Sequence, residues 1–381
     1  MHILIAPNAF KNSLTAEEAA EAMLAGLKQS GLHFTHENFP VADGGNGTAS
    51  LIVKRHRGRL MAAEVHDPLG RKIRAGFGLI ENGKTAVIEM ADASGLQFLN
   101  AAELNPLVAS SAGTGEMISQ SLDAGVNKII LGMGGSATVD GGAGILRALG
   151  IRFLNAEGVV IPDKPEMMTS LSSIDLSGLD SRIGNCELMI LCDVDNPLLG
   201  DQGAAAVFGP QKGASAEGVR KLEAGLSRFR ETVLRQMDKD MGAMKYGGTA
   251  GGASAGLNAL LNAKLVNGID YFLEMNGFDE ALEKSSLVIT GEGSLDEQTL
   301  QGKAPFGVAS RAKKKGIPVI ALAGKVPLKQ NKALDKYFDV LLAIGNAPAE
   351  LQTAIQVTPD NLIRTAAAIG HLLALVIKDD G

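Results

Sequence analysis

Short glycine-rich stretches that follow apolar runs are the feature of this sequence that most restricts its fold. Glycine occurs 47 times in 381 residues, about 12% against a usual level of about 7%. These glycines are clustered without a fixed period, which excludes a collagen-like or low-complexity chain. Clustered glycine indicates backbone that turns sharply or approaches another group closely. The main clusters occupy residues 43–47, 132–142, 247–256 and 291–293.

Apolar runs typical of buried strands precede most of these clusters, and helical patterns follow them. Thr15 and Glu18 form a capping-box pattern at the start of the first helix. Strands and helices alternate at both ends of the chain, with hairpins and longer insertions in the middle. The sequence therefore predicts an α/β fold in which one domain is interrupted by a second. The predicted bounds are 1–64 and 285–381 for the discontinuous domain, and 65–284 for an inserted α/β domain with a mixed sheet.

Composition argues against several classes of protein. The net charge of −6 is mild, tryptophan is absent and no basic stripe occurs, which argues against nucleic-acid binding. Two cysteines indicate a reducing compartment and no disulfide framework. The first residues lack the basic region of a signal peptide, and the longest apolar run, 366–377, is interrupted and too short to span a bilayer. We therefore expect a cytoplasmic protein without a membrane partner.

One motif match is misleading. Residues 78–85 (GLIENGKT) match a phosphate-binding loop, but that loop needs a helix after it. The continuation here is β-like, and Asn82-Gly83 suits a tight turn, so we expect a β-hairpin. The sequence contains no H-E-x-x-H, which argues against a catalytic zinc site.

Charged side chains follow four predicted strands, next to glycine. Ligands of open α/β sheets bind beyond the carboxyl ends of strands. Phosphoryl transfer needs carboxylates for Mg²⁺, cations for phosphates, and a base or orienting group for the attacking hydroxyl. The candidates for these catalytic roles are Lys11, Asp43, Asp193, Glu292 and Asp296. Any one of the acids could instead be a helix cap or a turn former, but four such strand ends together are harder to explain that way.

The glycine cluster at residues 132–142 is a candidate phosphate site. Its start (GMGGSA) fits the G-x-G-x-x-A pattern of dinucleotide-binding loops, and hydroxyls and a carboxylate follow beside bare backbone. We expect phosphate contacts from Gly134, Gly135, Ser136, Thr138 and Asp140, with residues 247–252 as a further phosphate cradle. The pattern also leaves open a nicotinamide-dependent dehydrogenase, although the acid that would bind the ribose is missing. Close packing of a helix on a strand is the structural alternative.

Three more cations stand on turns or glycine-rich loops. Lys212 and Lys303 are candidates for binding phosphate or carboxylate, and solvated lysines are the alternative. Arg71, in residues 67–71 (DPLGR), could hold a substrate carboxylate through its two-pronged guanidinium. A surface turn arginine is the alternative there.

Seven motifs in order resemble the bacterial glycerate kinases of the type that acts in glycerate and sugar-diacid breakdown. They are residues 5–14 (IAPNAFKNSL), 42–48 (ADGGNGT), 67–71 (DPLGR), 132–142 (GMGGSATVDGG), 192–198 (CDVDNPL), 208–213 (FGPQKG) and 290–299 (TGEGSLDEQT). The similarity runs over almost the whole chain. It departs from the family pattern at Asn8, Asn46 and Val139, where aspartate, glutamate and asparagine are usual.

The resemblance implies an ATP-dependent, Mg²⁺-requiring kinase of D-glycerate that yields 2-phosphoglycerate rather than 3-phosphoglycerate. It also implies a flavodoxin-like (Rossmann-like) domain with a second α/β domain inserted into it. We expect substrate and nucleotide to meet in the cleft between the domains, with Asp193 orienting or deprotonating the glycerate hydroxyl. Asp43, Glu292 and Asp296 are rivals for that role or ligands for Mg²⁺. A glycerate 3-kinase, a hydroxy-acid dehydrogenase and a non-catalytic carboxylate-binding protein remain as alternatives.

Overall fold

The structure is a computed structural model that describes residues 1–378, and the side chains of all of these except Gln298, Gln301, Ile377 and Lys378. The strands in the described residues are β1 (His2–Ile5), β2 (Thr35–Asn38), β3 (Arg59–His66), β4 (Lys72–Ile80), β5 (Thr85–Glu89), β6 (Lys128–Gly132), β7 (Arg152–Leu154), β8 (Ser173–Asp175), β9 (Glu187–Cys192), β10 (Lys264–Asn267), β11 (Leu287–Ser294), β12 (Val319–Lys325) and β13 (Val340–Ala343). The helices there are α1 (Ala16–Gln29), α2 (Thr48–Arg55), α3 (Ala91–Ser94), α4 (Ala112–Asp123), α5 (Ala143–Ala148), α6 (Ala204–Phe208), α7 (Ala216–Met237), α8 (Ala253–Leu261), α9 (Gly268–Met275), α10 (Phe278–Glu283), α11 (Ala304–Lys314), α12 (Leu351–Gln356) and α13 (Thr358–Lys378).

The chain divides into two compact units. Unit 1 consists of Met1–Ala42 and Ile269–Gly381, and unit 2 of Asp43–Gly268. These units divide after residues 42 and 268, whereas the sequence predicted domain boundaries after residues 64 and 284, and those bounds remain a prediction. Helix α2 packs on β4 and β5 and so belongs to unit 2. At the second crossing, the Phe278 ring packs edge-on against Phe39 of unit 1, with ring centroids 5.0 Å apart.

Unit 1 is built on a fully parallel sheet with the strand order β13-β12-β11-β1-β2. Counted within the unit alone, this order is 2-1-3-4-5, which is the flavodoxin-like arrangement. The buried apolar runs of β1 and β11 form its centre, as expected for strands covered by helices on both faces. The switch point of the sheet, where ligands bind in such folds, lies between β1 and β11. The predicted flavodoxin-like α/β fold is thus confirmed.

Helix α1 shows how local sequence sets the elements of unit 1. The Glu18 N–H donates to Thr15 Oγ1 (3.2 Å), and the Thr15 N–H donates to Glu18 Oε2 (2.8 Å), which confirms the predicted capping box. Gly26 lets this helix approach α13 closely, because a Cβ built there would lie 2.2 Å from the Ile363 carbonyl oxygen.

Unit 2 is built on a mixed sheet with the order β10-β9-β6-β5-β4-β3. Strands β5, β6, β9 and β10 run parallel, and β4 is antiparallel to both of its neighbours. The β4–β5 connection is the predicted hairpin, with Asn82 and Gly83 at positive φ (57° and 83°), so the phosphate-loop match at 78–85 is a turn between strands. Since β3 runs in the direction of β5, the residues after β3, β5, β6, β9 and β10 all lie at one carboxyl edge.

Candidate functional site

The loop after β6 is held by backbone contacts that only glycine permits. The Gly134 N–H donates to the Gly44 carbonyl oxygen (3.0 Å), and a Cβ built on Gly134 would lie 2.6 Å from the Gly45 Cα. Gly135 has a φ of 74°, a left-handed conformation that L side chains rarely adopt. Glycine-rich segments 43–47 and 132–142 therefore pack directly on each other, at the carboxyl edge of the unit 2 sheet.

Two further loops join this arrangement. The Gly141 N–H donates to the Gly251 carbonyl oxygen (3.0 Å), and a Cβ on Gly251 would lie 2.2 Å from the Thr138 carbonyl oxygen. Thr249 Oγ1 donates to the carbonyl of Val194 (3.1 Å), in the loop that begins with Asp193. We call residues 43–47, 132–142, 193–196 and 247–252 the glycine-loop cluster. It unites three of the four glycine segments that the sequence analysis named separately, and the fourth, 291–293, lies in unit 1.

Lys212 places a buried cation in the glycine-loop cluster. Its side chain comes from the turn Pro210–Lys212 and is only 4% exposed. Its Nζ donates to Ser136 Oγ (3.0 Å) and to the Thr138 carbonyl oxygen (2.7 Å), and within the described residues it forms no ion pair. Burial lowers the pKa of the ammonium to about 8, although the charges of Asp140 and Asp193 oppose that shift. The alternative of a solvated lysine is therefore excluded.

Thr138 adds an unsatisfied hydroxyl beside this cation. The residue is fully buried, and its Oγ1 has no hydrogen-bond partner among the described residues. A buried polar atom without a partner is costly unless a water or ligand completes it. An anion held by Lys212 would supply such an acceptor, so the residues present fit a phosphate or carboxylate group.

The Asp140 carboxylate accepts hydrogen bonds from several other groups of the protein. Its Oδ2 accepts hydrogen bonds from the Ser111 hydroxyl (2.6 Å) and from the N–H groups of Ser111 and Gly144 (both 3.1 Å). Its Oδ1 accepts from the Gly142 N–H (2.9 Å). The carboxylate therefore fixes the starts of α4 and α5, and the predicted contact to phosphate remains a prediction.

Asp43 and Asp193 flank the carboxyl edge of unit 2 and are half-buried. The carbonyl of Asp43 packs so closely on Gly268 that a Cβ there would lie 1.8 Å away. Asp193 directly follows β9, and its charge acts on Lys212. Both residues belong to the glycine-loop cluster, and their predicted catalytic roles remain predictions.

Arg71 lies at the same edge, in the turn between β3 and β4. Its guanidinium forms ion pairs with Asp67 and with Glu103 (2.7 Å), and it donates to the carbonyl of Phe98 (2.8 Å). These carboxylates raise the pKa of Arg71. The geometry matches the alternative of a turn arginine, and a substrate carboxylate would have to compete with two acids already in contact.

Glu89 and Asp92 are acids at this edge that sequence reasoning missed. Glu89 ends β5, and its oxygens accept from the N–H groups of Gly47 (3.0 Å) and Ala49 (2.7 Å). Burial and then the charge of Asp92 raise the pKa of Glu89 to about 7, and burial raises that of Asp92 to about 6. The sequence analysis considered acids at strand ends only where glycine stands next to them, and Glu89 was missed because it is followed by Met90. The end of a buried strand alone would have identified it.

Unit 1 carries the other four predicted residues at its own carboxyl edge, around the switch point. Lys11 follows β1 and is exposed, and Glu292 lies in the last part of β11 and is 8% exposed. Thr299 Oγ1 donates to Glu292 Oε1 (3.1 Å) and accepts from the Asp296 N–H (3.2 Å). Lys303 is the N-cap residue of α11 and is half-buried. The turn after β11 thus holds Glu292, Asp296 and Lys303 together.

The three departures from the family pattern have different settings. The Asn8 Oδ1 accepts from the Ala9 N–H (2.8 Å), and Val139 lies in the core of unit 2. A Cβ built on Gly135 would lie 2.4 Å from Asn46 Oδ1. The exposed Asn46 side chain therefore packs on the loop of residues 132–142, the candidate phosphate site.

A metal site is not formed within the described residues by protein groups alone. Among them, no three His, Cys, Asp or Glu side chains are grouped so that they could hold an ion. Mg²⁺ commonly keeps waters and binds one or two carboxylates together with substrate phosphates, so a pair of acids suffices chemically. The predicted ligands are divided, with Asp43 in unit 2 and Glu292 and Asp296 in unit 1.

Comparison with known proteins identifies the chain. The model of the glycerate kinase family matches residues 3–374. The chain belongs to the glycerate kinase family. It is 43% identical over 375 residues to glycerate kinase of Bacillus subtilis (strain 168), covering 98% of both chains. It is 41% identical over 385 residues to glycerate 2-kinase of Escherichia coli (strain K12), covering 100% of both.

The fold agrees with this assignment. The crystal structure of a protein assigned as glycerate kinase 2 from Salmonella typhimurium LT2 matches with a TM-score of 0.84 and 40% identity, covering 99% of each chain. As a glycerate kinase family member, the chain is a phosphotransferase, and a kinase uses a nucleotide as phosphoryl donor together with a small-molecule acceptor. In residues 1–378, no helix combines the length and apolar content needed to cross a membrane.

Proposed function

We propose that this kinase transfers the γ-phosphoryl group of ATP to D-glycerate, in the presence of Mg²⁺, and releases 2-phosphoglycerate. The observation that carries the anion-binding part is the buried Lys212 ammonium, whose hydrogen-bond partners within the described residues are the neutral oxygens of Ser136 and of the Thr138 carbonyl. The Thr138 hydroxyl of the same loop has no hydrogen-bond partner among those residues. The 2-position is supported by the 41% identity to a protein named glycerate 2-kinase. Phosphorylation at the 3-position is the second candidate.

The glycine-loop cluster supports a role in phosphate binding. Its glycines leave backbone N–H groups uncovered by side chains, and adjacent N–H groups of such loops form anion-binding concavities. Lys212 and the hydroxyls of Ser136 and Thr138 would add charge and directed donors. Gly135 would contribute backbone alone. The N–H groups of Gly134, Gly248 and Gly252 are already donated to carbonyl oxygens of the protein, so the phosphate contacts proposed for Gly134 and for residues 247–252 remain predictions.

For the transfer itself, we propose Asp193 as the group that orients or deprotonates the glycerate hydroxyl. An aspartate in hydrogen-bond contact with an attacking hydroxyl contributes on the order of a hundredfold or more in rate. Lys11 and Lys303 would balance phosphate or carboxylate charge from unit 1. Asp43, Glu292 and Asp296 carry hard carboxylate oxygens of the kind that Mg²⁺ prefers, and the ion would neutralise charge on the phosphates.

Two broader parts of the proposal rest on the sequence. The location of the reaction in a cleft between the domains stays a prediction. We also propose a cytoplasmic location, because the chain has two cysteines, both free in the structure.

Release of ADP from MgATP, measured with and without D-glycerate, tests the function. We expect release only when glycerate is present, and phosphorus NMR of the product should show 2-phosphoglycerate. A signal of 3-phosphoglycerate would show that the 3-hydroxyl is phosphorylated instead of the 2-hydroxyl. Release of ADP without glycerate would contradict glycerate as the acceptor. Reduction of NAD by glycerate, followed at 340 nm, would favour the dehydrogenase alternative instead.

A further inference from the structure

The loop that carries Asp43 is strongly bent and is fastened at two ends. Gly44 and Gly47 have φ angles of 101° and 90°. At its start, the Gly44 carbonyl accepts from Gly134, as described above. At its end, the N–H groups of Gly47 and Ala49 point at the two oxygens of Glu89. Glu89 is therefore a fastening point between the sheet edge and this loop.

Helix α2 needs this partner because its own N-cap residue cannot cap it. A helix begins with N–H groups that have no partner within the helix, and a side-chain oxygen of the N-cap residue usually accepts from one of them. The N-cap residue of α2 is Gly47, which makes no side-chain cap. Glu89, 40 residues away from Ala49 in sequence, supplies the acceptor instead, and its negative charge suits the helix N-terminus.

Glu89 also lies close in the sheet to the other contact that holds this loop, the hydrogen bond from Gly134 to the Gly44 carbonyl. It is the last residue of β5 and is paired in register with Gly132, where the loop containing Gly134 begins. Its side chain is 6% exposed, so solvent cannot readily replace it as an acceptor. Asp92 is the neighbouring charge that acts on it, and it favours the protonated form.

We propose that Glu89 is a positioning residue that fixes the loop of residues 43–47, and with it Asp43, by accepting hydrogen bonds from Gly47 and Ala49. The consequence for catalysis rests on the function proposed above. Glu89 acts through the loop and through the start of α2, with no direct contact to substrate.

Two substitutions remove the acceptors in steps. In Glu89→Gln, one carbonyl oxygen remains as an acceptor, and the amide group meets the other N–H with a second donor. In Glu89→Ala, both acceptors are lost. Glu64 on β3 is exposed, so Glu64→Gln and Glu64→Ala are matched controls in the same sheet.

Backbone amide exchange measures the anchoring directly. We expect the exchange of residues 44–49 to rise roughly tenfold in Glu89→Ala and less in Glu89→Gln, while residues 129–131 of β6 keep their protection. Unchanged exchange at residues 44–49 would overturn the anchoring. Loss of protection throughout unit 2 in Glu89→Gln would overturn it too, because Glu89 would then stabilise the whole unit.

Steady-state kinetics with MgATP and D-glycerate measures the consequence. We expect kcat to fall about tenfold in Glu89→Gln and about a hundredfold in Glu89→Ala, with KM changed less than threefold. Faster exchange at residues 44–49 together with a normal kcat would support the anchoring and reject the proposed role of Asp43. Asp43→Asn is assayed alongside, because it tests the role of Asp43 without releasing the loop. It therefore distinguishes a failure of the anchoring by Glu89 from a failure of the proposed role of Asp43.

Discussion

Units 1 and 2 both place charged residues at the carboxyl edge of parallel strands, but they hold them in different ways. In unit 1, Lys11 follows β1 and is exposed, Glu292 is buried in the last part of β11, and Asp296 and Lys303 follow that strand. In unit 2, loops far apart in sequence interlock through glycine backbone and enclose Lys212. We therefore propose a preformed anion site in unit 2, whereas the charged groups of unit 1 range from the buried Glu292 to the exposed Lys11.

This difference between the units suggests that substitutions in each unit affect different kinetic parameters. A buried ammonium is held without an ion pair in unit 2, so an incoming anion meets a charge that is already desolvated. In unit 1, the Glu292 carboxylate accepts a hydrogen bond from the Thr299 hydroxyl (3.1 Å). Substitutions in unit 2 should then affect turnover and anion affinity most, and those in unit 1 should affect the metal requirement.

The largest effect is expected at Asp193. Asp193→Asn keeps the shape of the side chain and removes its charge, so we expect kcat to fall about a hundredfold or more with the fold intact. Circular dichroism checks the fold, and coupled ADP release measures turnover. Asp238→Asn is the control, because Asp238 is exposed and has a φ of 54° that asparagine tolerates. A near-normal kcat in Asp193→Asn would remove this residue from the mechanism.

A smaller effect is expected at Lys212, on affinity. Lys212→Met removes the ammonium, and we expect binding of a non-hydrolysable ATP analogue or of D-glycerate to weaken at least about tenfold, as for a lost charged hydrogen bond. In the parent protein, that affinity should fall as the pH rises through about 8, because Lys212 then loses its proton. The variant should lack this dependence.

Calorimetric titration of both ligands between pH 6.5 and 9 measures this, with Lys221→Met as control. Lys221 is exposed on α7 and forms an ion pair with Glu217 in the i,i+4 position. If Lys212→Met binds both ligands as tightly as the parent, the preformed anion site in unit 2 is refuted.

The smallest effect is expected in unit 1. Glu292→Gln should raise the Mg²⁺ concentration for half-maximal activity about tenfold, because it removes one negative oxygen from a hard-cation site. At saturating Mg²⁺, kcat should stay within a few-fold of the parent. Glu297→Gln is the control, since Glu297 is exposed and contacts Asn331. An unchanged Mg²⁺ requirement would leave Asp43 and Asp296 as the remaining candidates.

Several features could be predicted because they depend on neighbours in sequence. The capping box of α1 spans four residues, 15–18, and the β4–β5 hairpin depends on Asn82-Gly83. The position of Asp193 after a buried strand follows from the apolar run before it. The compact units divide after residues 42 and 268 and not after the predicted 64 and 284, because the sequence shows α2 and α10 as helices without showing which sheet they cover.

The sequence by itself determined the alternation of strands, glycine-rich loops and helices, the α/β class, and the strand ends after which charged residues stand. These features follow from hydrophobic periodicity and from the conformations open to glycine. Tertiary structure alone decided that Lys212 is buried against Ser136, 76 residues away, and that Asp140 fixes helix starts. It also decided that Glu89 caps a helix from another element. The physical reason is that burial and hydrogen-bond partners across long sequence separations depend on how the loops pack, which local patterns do not specify.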